Sequence, residues 1–263
     1  MPKRWSEEIR KKYRAELLDL YVKRNLSINQ IADLLKLKSN SVYDRLIRLD
    51  IKTIRNKKTG FNNQRQDVIT PKHSSDLAEF IGILLGDGHI TPTQITVTLG
   101  VKERYSHYVA KLISQLFGIK PKILLRTKRY HEVYFGSTKI VRWLIAMGLS
   151  SNKVRDQIGI PKWCFQYKTY QESCLRGLFD TDGSVYLLKE GFQMSLTNRS
   201  TPLLKDAKSM LELLGYSPSK ISANKIYLTR RIDLSRYINE IGFRNPKHLK
   251  RLKSFRTNYG RFV

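Results

Sequence analysis

Apolar residues recur at helical spacing in three short segments at the start of the chain. Ile9, Tyr13, Leu17, Leu20 and Tyr21 share one side of a helix predicted from about Ser6 to Lys23. Ser27 followed by Gln30 has the form of a capping box, and it opens a short helix, Gln30 to Leu35, carrying Ile31, Leu34 and Leu35. After a turn at 36–38, Ser39 or Asn40 is expected to cap a third helix through Val42, Leu46 and Leu49. A short helix, a tight turn and a short helix with a polar start make a helix-turn-helix pattern over residues 1–50. The exposed positions of its last helix include Asn40, Ser41, Tyr43, Asp44, Arg45 and Arg48, of types that contact phosphates and base edges. Residues 51–73 then lose periodicity. The stretch 51–72 holds six Lys or Arg against one acid, which reads as a basic linker.

From residue 74 the pattern repeats. The first unit, 74–158, reads as a helix, strands near 88–92 and 94–99, a helix from about Glu103 to Phe117, strands near 122–128 and 131–136, and a helix from about Thr138 to Met147. A linker at 159–167 separates it from the second unit, 168–263. There strands are expected near 184–189 and 192–198, a helix from about Pro202 to Leu214, strands near 219–223 and 225–230, a helix from Leu234 to Ile241, and a basic tail. Such a duplication predicts an α+β fold of two αββαββα units with pseudo-two-fold symmetry behind a small all-α domain.

The strands alternate with period two. Gln94, Thr96 and Thr98 oppose Ile95, Val97 and Leu99. Lys120, Lys122, Arg126 and Lys128 oppose Ile123 and Leu125, and Gln193, Ser195, Thr197 and Arg199 oppose Phe192, Met194 and Leu196. One face of each sheet is therefore expected on helices and the other open. The open face, with Lys220 and Arg230 added from the last strands, carries hydrogen-bonding and cationic types suited to nucleic acid.

Two stretches anchor the repeat: Phe80-Ile-Gly-Ile-Leu-Leu-Gly-Asp87-Gly88 and Leu175-Arg-Gly-Leu-Phe-Asp-Thr-Asp182-Gly183. Gly82 and Gly86, and Gly177 and Thr181, lie four apart, so each helix has a stripe without bulk and the two stripes can touch. Each glycine after the acid is expected in the left-handed conformation that ends helices. Each acid opposes the negative end of its helix dipole. Two such carboxylates side by side repel unless a hard divalent cation lies between them.

Charge narrows the partner. Lys and Arg outnumber Asp and Glu by 49 to 22 in 263 residues, a formal charge of +27, which points to a polyanion, most simply nucleic acid, with a membrane surface as the alternative. No run of 18 apolar residues predicts a membrane span, and the basic N-terminus lacks the apolar stretch of a secretory signal, so an intracellular location in cytoplasm or nucleoid is expected. Cys164 and Cys174 make neither a disulfide framework nor a zinc site and are expected as small buried residues.

The paired stretches resemble the signature of the LAGLIDADG homing endonucleases, closely in the second copy and more loosely in the first, where Leu85 stands opposite Asp180. The resemblance implies that the two sheets form a DNA-binding saddle with the motif helices at its centre. It implies a monomer that hydrolyses phosphodiester bonds on both strands of a long asymmetric duplex site. Two or three Mg²⁺ ions would be held by Asp87 and Asp182 together with Gly86 and Thr181, and Mn²⁺ would substitute. The family often places a lysine after the last helix of each unit, near the cleavage water. Lys153 lies 66 residues after Asp87, and His248 lies 66 after Asp182 with Lys247 beside it, so these three join the candidate catalytic set. An origin in an intron or other mobile element follows from the same resemblance. An intein is not expected, since the chain lacks an N-terminal Cys or Ser and a C-terminal His-Asn pair. The alternatives are a non-cleaving DNA-binding regulator on the same fold and an RNA-splicing maturase with intron RNA as partner.

Overall fold

The computed structural model describes residues 5–24, 26–51, 53, 67–100, 104–127, 129–188 and 191–259. The chain divides into two compact units, Met1–Asn62 and Asn63–Val263.

In the smaller unit, α1 (Glu7–Leu17) runs into a wider π turn (Leu18–Lys23), followed by α2 (Ile28–Leu34) and α3 (Ser39–Arg48). Leu17, Leu20, Ile31, Val42, Leu46, Leu49 and Ile51 close one apolar core. The capping box forms as expected. Gln30 N donates to Ser27 Oγ at 3.3 Å and Ser27 N donates to Gln30 Oε1 at 2.9 Å. The start of α3 differs from expectation. Lys38 occupies the N-cap without a side-chain bond, because Ser39 Oγ donates instead to Asn29 Oδ1 on α2, at 2.8 Å.

The larger unit begins with α4 (Ser75–Asp87), β1 (Gly88–Ile90), β2 (Gln94–Gly100), α5 (Tyr105–Phe117), β3 (Lys122–Thr127), β4 (Tyr130–Gly136) and α6 (Thr138–Ala146). A 3₁₀ turn (Lys162–Phe165) leads into α7 (Lys168–Asp182), β5 (Gly183–Leu188), β6 (Gly191–Thr197), α8 (Thr201–Leu213), β7 (Lys225–Leu228), α9 (Arg231–Arg236), a π turn (Tyr237–Ile241) and α10 (Pro246–Tyr259). The sheets are antiparallel, with orders β1-β2-β4-β3 and β5-β6-β7. The inner faces of the other strands share one core with the helices, and Cys164 and Cys174 are buried in it as free thiols. β3, at the edge of its sheet, departs from expectation: Ile123 and Leu125 are exposed and do not join that core.

Two features depart from the expected repeat. No strand forms over 219–223; Ser222 makes only an isolated bridge to Lys225. Pro218 supplies no N–H to a ladder, and Ala223 and Asn224 adopt positive φ of 47° and 59°, so the turn begins where the strand should run. The expected basic tail is helical over Pro246–Tyr259, where α10 docks through buried Leu252.

The motif helices α4 and α7 pack face to face at the centre of this unit. A Cβ on Gly82 would lie 2.1 Å from the Cys174 carbonyl oxygen, and one on Gly177 would lie 2.2 Å from that of Glu79. The small-residue stripes therefore touch backbone to backbone. Beside them lies a buried ion pair. Glu79, 1% exposed, accepts from Arg176 Nε at 2.9 Å and Nη2 at 2.6 Å across the helix pair, and from Tyr108 OH at 2.5 Å. Among the described residues no helix is long and apolar enough to cross a membrane.

Candidate active site and nucleic-acid face

Asp87 and Asp182 are the last residues of α4 and α7, brought together by the glycine contacts. The glycines that follow are not left-handed. Gly88 has φ −81° and ψ 150°, and Gly183 has φ −80° and ψ 154°, so each chain passes straight into a strand. Glycine is needed there for space: a Cβ would lie 2.5 Å from the Leu84 carbonyl oxygen or 2.2 Å from that of Phe179.

Burial raises both carboxyls above the ordinary carboxylate range. For Asp87 it is opposed by Lys247 and Lys153. Asp182 is pushed up to about 6, first by burial and then by the charge of Asp87, against a hydrogen bond from Asn198 and the two lysines. Asn198 Nδ2 donates to Asp182 Oδ2 at 2.6 Å.

The lysines reach the same place from different elements. Lys153 Nζ donates to the carbonyls of Leu84 (2.9 Å), Leu85 (3.0 Å) and Gly86, capping the end of α4. Lys247 Nζ, from the first turn of α10, donates to the Thr181 carbonyl at 3.1 Å. Cations at helix C-termini oppose the dipole's negative end. Burial lowers the Lys153 ammonium, while Asp182 and Asp87 act to raise it.

His248 is placed elsewhere. It is fully buried, with its ring 4.6 Å from that of Phe243, and neither ring nitrogen makes a hydrogen bond of ordinary geometry. Burial first, then Lys247 and Arg251, push it down to about 3, so it stays neutral. The equal spacing that nominated His248 is off by one residue, and Lys247 is the counterpart of Lys153.

The donor set at the helix ends fits a hard divalent cation. Two half-buried carboxylates with raised proton affinity lie close enough for the charge of Asp87 to act on Asp182, and the Gly86 and Thr181 carbonyls each keep a lone pair beyond the lysine they accept.

Asp180 has a separate task. Fully buried, it accepts from Arg244 N at 2.9 Å, Asn245 N at 3.1 Å and Tyr105 OH at 3.3 Å, while Asn245 Nδ2 donates back to its carbonyl at 2.8 Å. Burial pushes it up to about 7 against those bonds. It fastens the segment that launches α10 and so places Lys247.

The open sheet faces hold most of the expected residues. Thr98 lies opposite Glu132, Lys122 opposite Tyr134, and Thr197 opposite Lys225. Arg126 Nε is paired with Glu132 Oε2 at 2.7 Å, Gln94 Nε2 donates to Thr96 Oγ1 at 3.0 Å, and Gln193 donates to the Tyr186 hydroxyl. Thr96 and Ser195 are 8% and 4% exposed, covered by their cross-strand neighbours. Lys120, Arg199, Lys220 and Arg230 are exposed, with Arg230 donating to Ser217 Oγ at 2.6 Å. Lys128 lies outside the described residues. His89, Tyr134, Tyr186 and Tyr227 share these faces and were missed, because aromatic and imidazole side chains read as neutral in a search for polar alternation.

In the smaller unit, Asn40, Tyr43 and Arg48 are exposed on α3. Arg45 is half-buried, its guanidinium over the Tyr13 ring at 4.8 Å and the Trp5 ring at 5.8 Å. Ser41 is half-buried.

Residues 169–242 match the family model of the LAGLIDADG-like domain. The matched segment is the copy whose motif keeps both acids. It is 28% identical over 192 residues to the replication factor C small subunit of Methanocaldococcus jannaschii, a match covering 68% of this chain and 10% of that protein. It is 24% identical over 198 residues to the probable cell division protein WhiA of Thermoanaerobacter sp., covering 68% of this chain and 61% of that protein. The chain thus spans about a tenth of the first relative and less than two thirds of the second. Among solved structures it is similar to I-DmoI in complex with DNA and Ca, with 16% identity and a TM-score of 0.49 over 68% of this chain and 97% of that one.

Proposed function

We propose that the 63–263 unit is a divalent-metal-dependent, site-specific endonuclease of double-stranded DNA. The observation that carries this reading is the meeting of Asp87 and Asp182 at the ends of two helices in backbone contact, with Asp182 pushed up to about 6 in part by Asp87. A carboxylate pair so placed is costly for folding alone and suited to a cation. A bound Mg²⁺ or Mn²⁺ would supply Lewis-acid stabilisation of an attacking water and a leaving 3′ oxygen. Asp87 and Asp182 provide anionic ligand oxygens. Lys153 and Lys247 hold the helix ends and place positive charge beside the scissile phosphates. The open sheet faces meet the grooves and backbone of the duplex, and α3 of the smaller unit adds a second contact whose gain is avidity.

A second reading, a DNA-binding regulator that does not cut, is favoured by one observation. The Gly86 and Thr181 carbonyls already accept from lysine ammonium groups, which can neutralise the helix ends without metal. WhiA, a probable cell division protein, is among the relatives. Selection of cleaved products from a random duplex library in Mg²⁺ separates the two. Recovery of one preferred cut site supports the endonuclease, and enrichment of bound but uncut duplex supports the regulator. In either case binding should weaken with salt, each neutralised phosphate steepening the log K against log salt slope by about 0.9. A slope shallower than about −3 would count against extended sheet contacts.

A further inference from the structure

Asn198 lies just beyond β6, outside both motifs. Its amide is fixed from two sides: Nδ2 donates to Asp182 Oδ2 at 2.6 Å, and Oδ1 accepts from Ser200 N at 2.8 Å. These two bonds define which end of the amide is nitrogen. The backbone is held as well, since Asn198 N donates to the Asn224 carbonyl at 3.1 Å. Ser200, in turn, caps α8 through Leu203 N and donates to the Ile158 carbonyl at 2.7 Å. Asp182 is thus held through Asn198 to a helix start and to the segment between the repeats. One carboxylate oxygen is oriented and the other is left for a ligand.

The first unit has no such device. β5 meets β6 at Gly183 opposite Leu196, and β1 meets β2 at Gly88 opposite Val97, so the position equivalent to Asn198 is Leu99. Leu99 is 3% exposed and belongs to the core. Asp87 makes no side-chain hydrogen bond to the described residues.

We propose that Asn198 is a positioning residue that orients the Asp182 carboxylate and makes the Asp182 end of the site the firmer of its two cation positions. This rests on the metal-binding reading of the site given above. Hydrogen-bond partners of ligating carboxylates fix ligand geometry, and their loss typically weakens metal binding by about 10–100-fold.

The test uses the full chain without DNA and follows bound Mn²⁺ by electron paramagnetic resonance. Asn198→Leu, which keeps size and removes the donor, is compared in two backgrounds, Asp87→Asn and Asp182→Asn. With Asp182 present, Asn198→Leu should weaken Mn²⁺ binding about tenfold or more. With Asp182 removed, it should change nothing. Asn198→His, which places a nitrogen donor at the same reach, should recover most of the affinity, and it replaces the leucine variant as the probe if that variant does not fold. Equal losses in both backgrounds would mean a structural role and overturn the proposal. Wild-type Mn²⁺ binding that is insensitive to Asn198 would overturn the proposal alone. No Mn²⁺ binding by the wild type would overturn the metal reading and the proposal together.

Discussion

The two motif helices end in the same acid and the same glycine, yet the acids two residues earlier differ. Asp180 in the second copy gathers two backbone N–H groups and a tyrosine hydroxyl, and so anchors the turn that delivers Lys247. Leu85 in the first copy is buried in the core, where its apolar side chain can hold no donor. There the lysine-bearing segment braces itself: Ser150 Oγ donates to Asp156, Asn152 N donates to Ser150 Oγ, and Arg155 N donates to Asn152 Oδ1. Both routes end with an ammonium on the carbonyls of a motif helix. The duplication has kept an ammonium at each helix end and let the other supports diverge.

Substitutions at the helix contact should break both copies alike. Gly82→Val and Gly177→Val each force a side chain into a backbone carbonyl about one bond length too close, and each should cost more than about 3 kcal/mol, measured by urea unfolding. Markedly unequal losses would show that the two stripes do not share one contact. Next comes the pair that has no copy. Glu79→Ala strands Arg176 between the helices and should cost about 3–5 kcal/mol, the usual penalty for breaking a buried ion pair. Asp180→Leu should cost about 2–4 kcal/mol by leaving its donors without an acceptor. It should also loosen α10, read as faster amide exchange at 244–250, whereas no substitution at Leu85 should affect that segment.

The smallest effect has the opposite sign. The Asp182 carboxyl is raised in the folded state, so ionising it favours the unfolded chain. That penalty is fully present above pH 6 and is relieved as pH falls through about 6 toward the ordinary carboxylate range. Asp182→Asn should therefore stabilise the metal-free protein at pH 8 by about 1–2 kcal/mol, and the gain should vanish near pH 4, followed by thermal melting at both values. A gain that grows on acidification would reverse the sign of the argument about this carboxylate.

Much of this organisation was legible in the sequence because periodicity and spacing carry it. The two glycine-containing helices, the sheet faces around Thr98 and Thr197 and the Ser27–Gln30 box follow from rules that act within a few residues. What escaped depends on contacts between distant segments. Nothing local marks Glu79 and Arg176 as partners 97 residues apart. Nothing near Asp180 in the sequence marks residues 244–245 as its partners, and only the fold brings them to it. Asn198 gave no signal, since its counterpart is an apolar Leu99. His248 was nominated by a spacing of 66 residues that Lys247 misses by one, and the two rings beside Arg45 come from the distant N-terminal segment, which nothing near Arg45 in the sequence marks.

The claim on which the rest depends is that Asp87 and Asp182 bind the cation that drives cleavage. Its most direct measurement is double-strand cutting of the library-selected duplex in Mg²⁺ by wild type, Asp87→Asn and Asp182→Asn, with DNA binding measured in parallel in Ca²⁺. The account predicts that each variant binds the duplex at least as well as wild type and makes no double-strand break. Cutting of both strands by Asp182→Asn at the wild-type rate would contradict it.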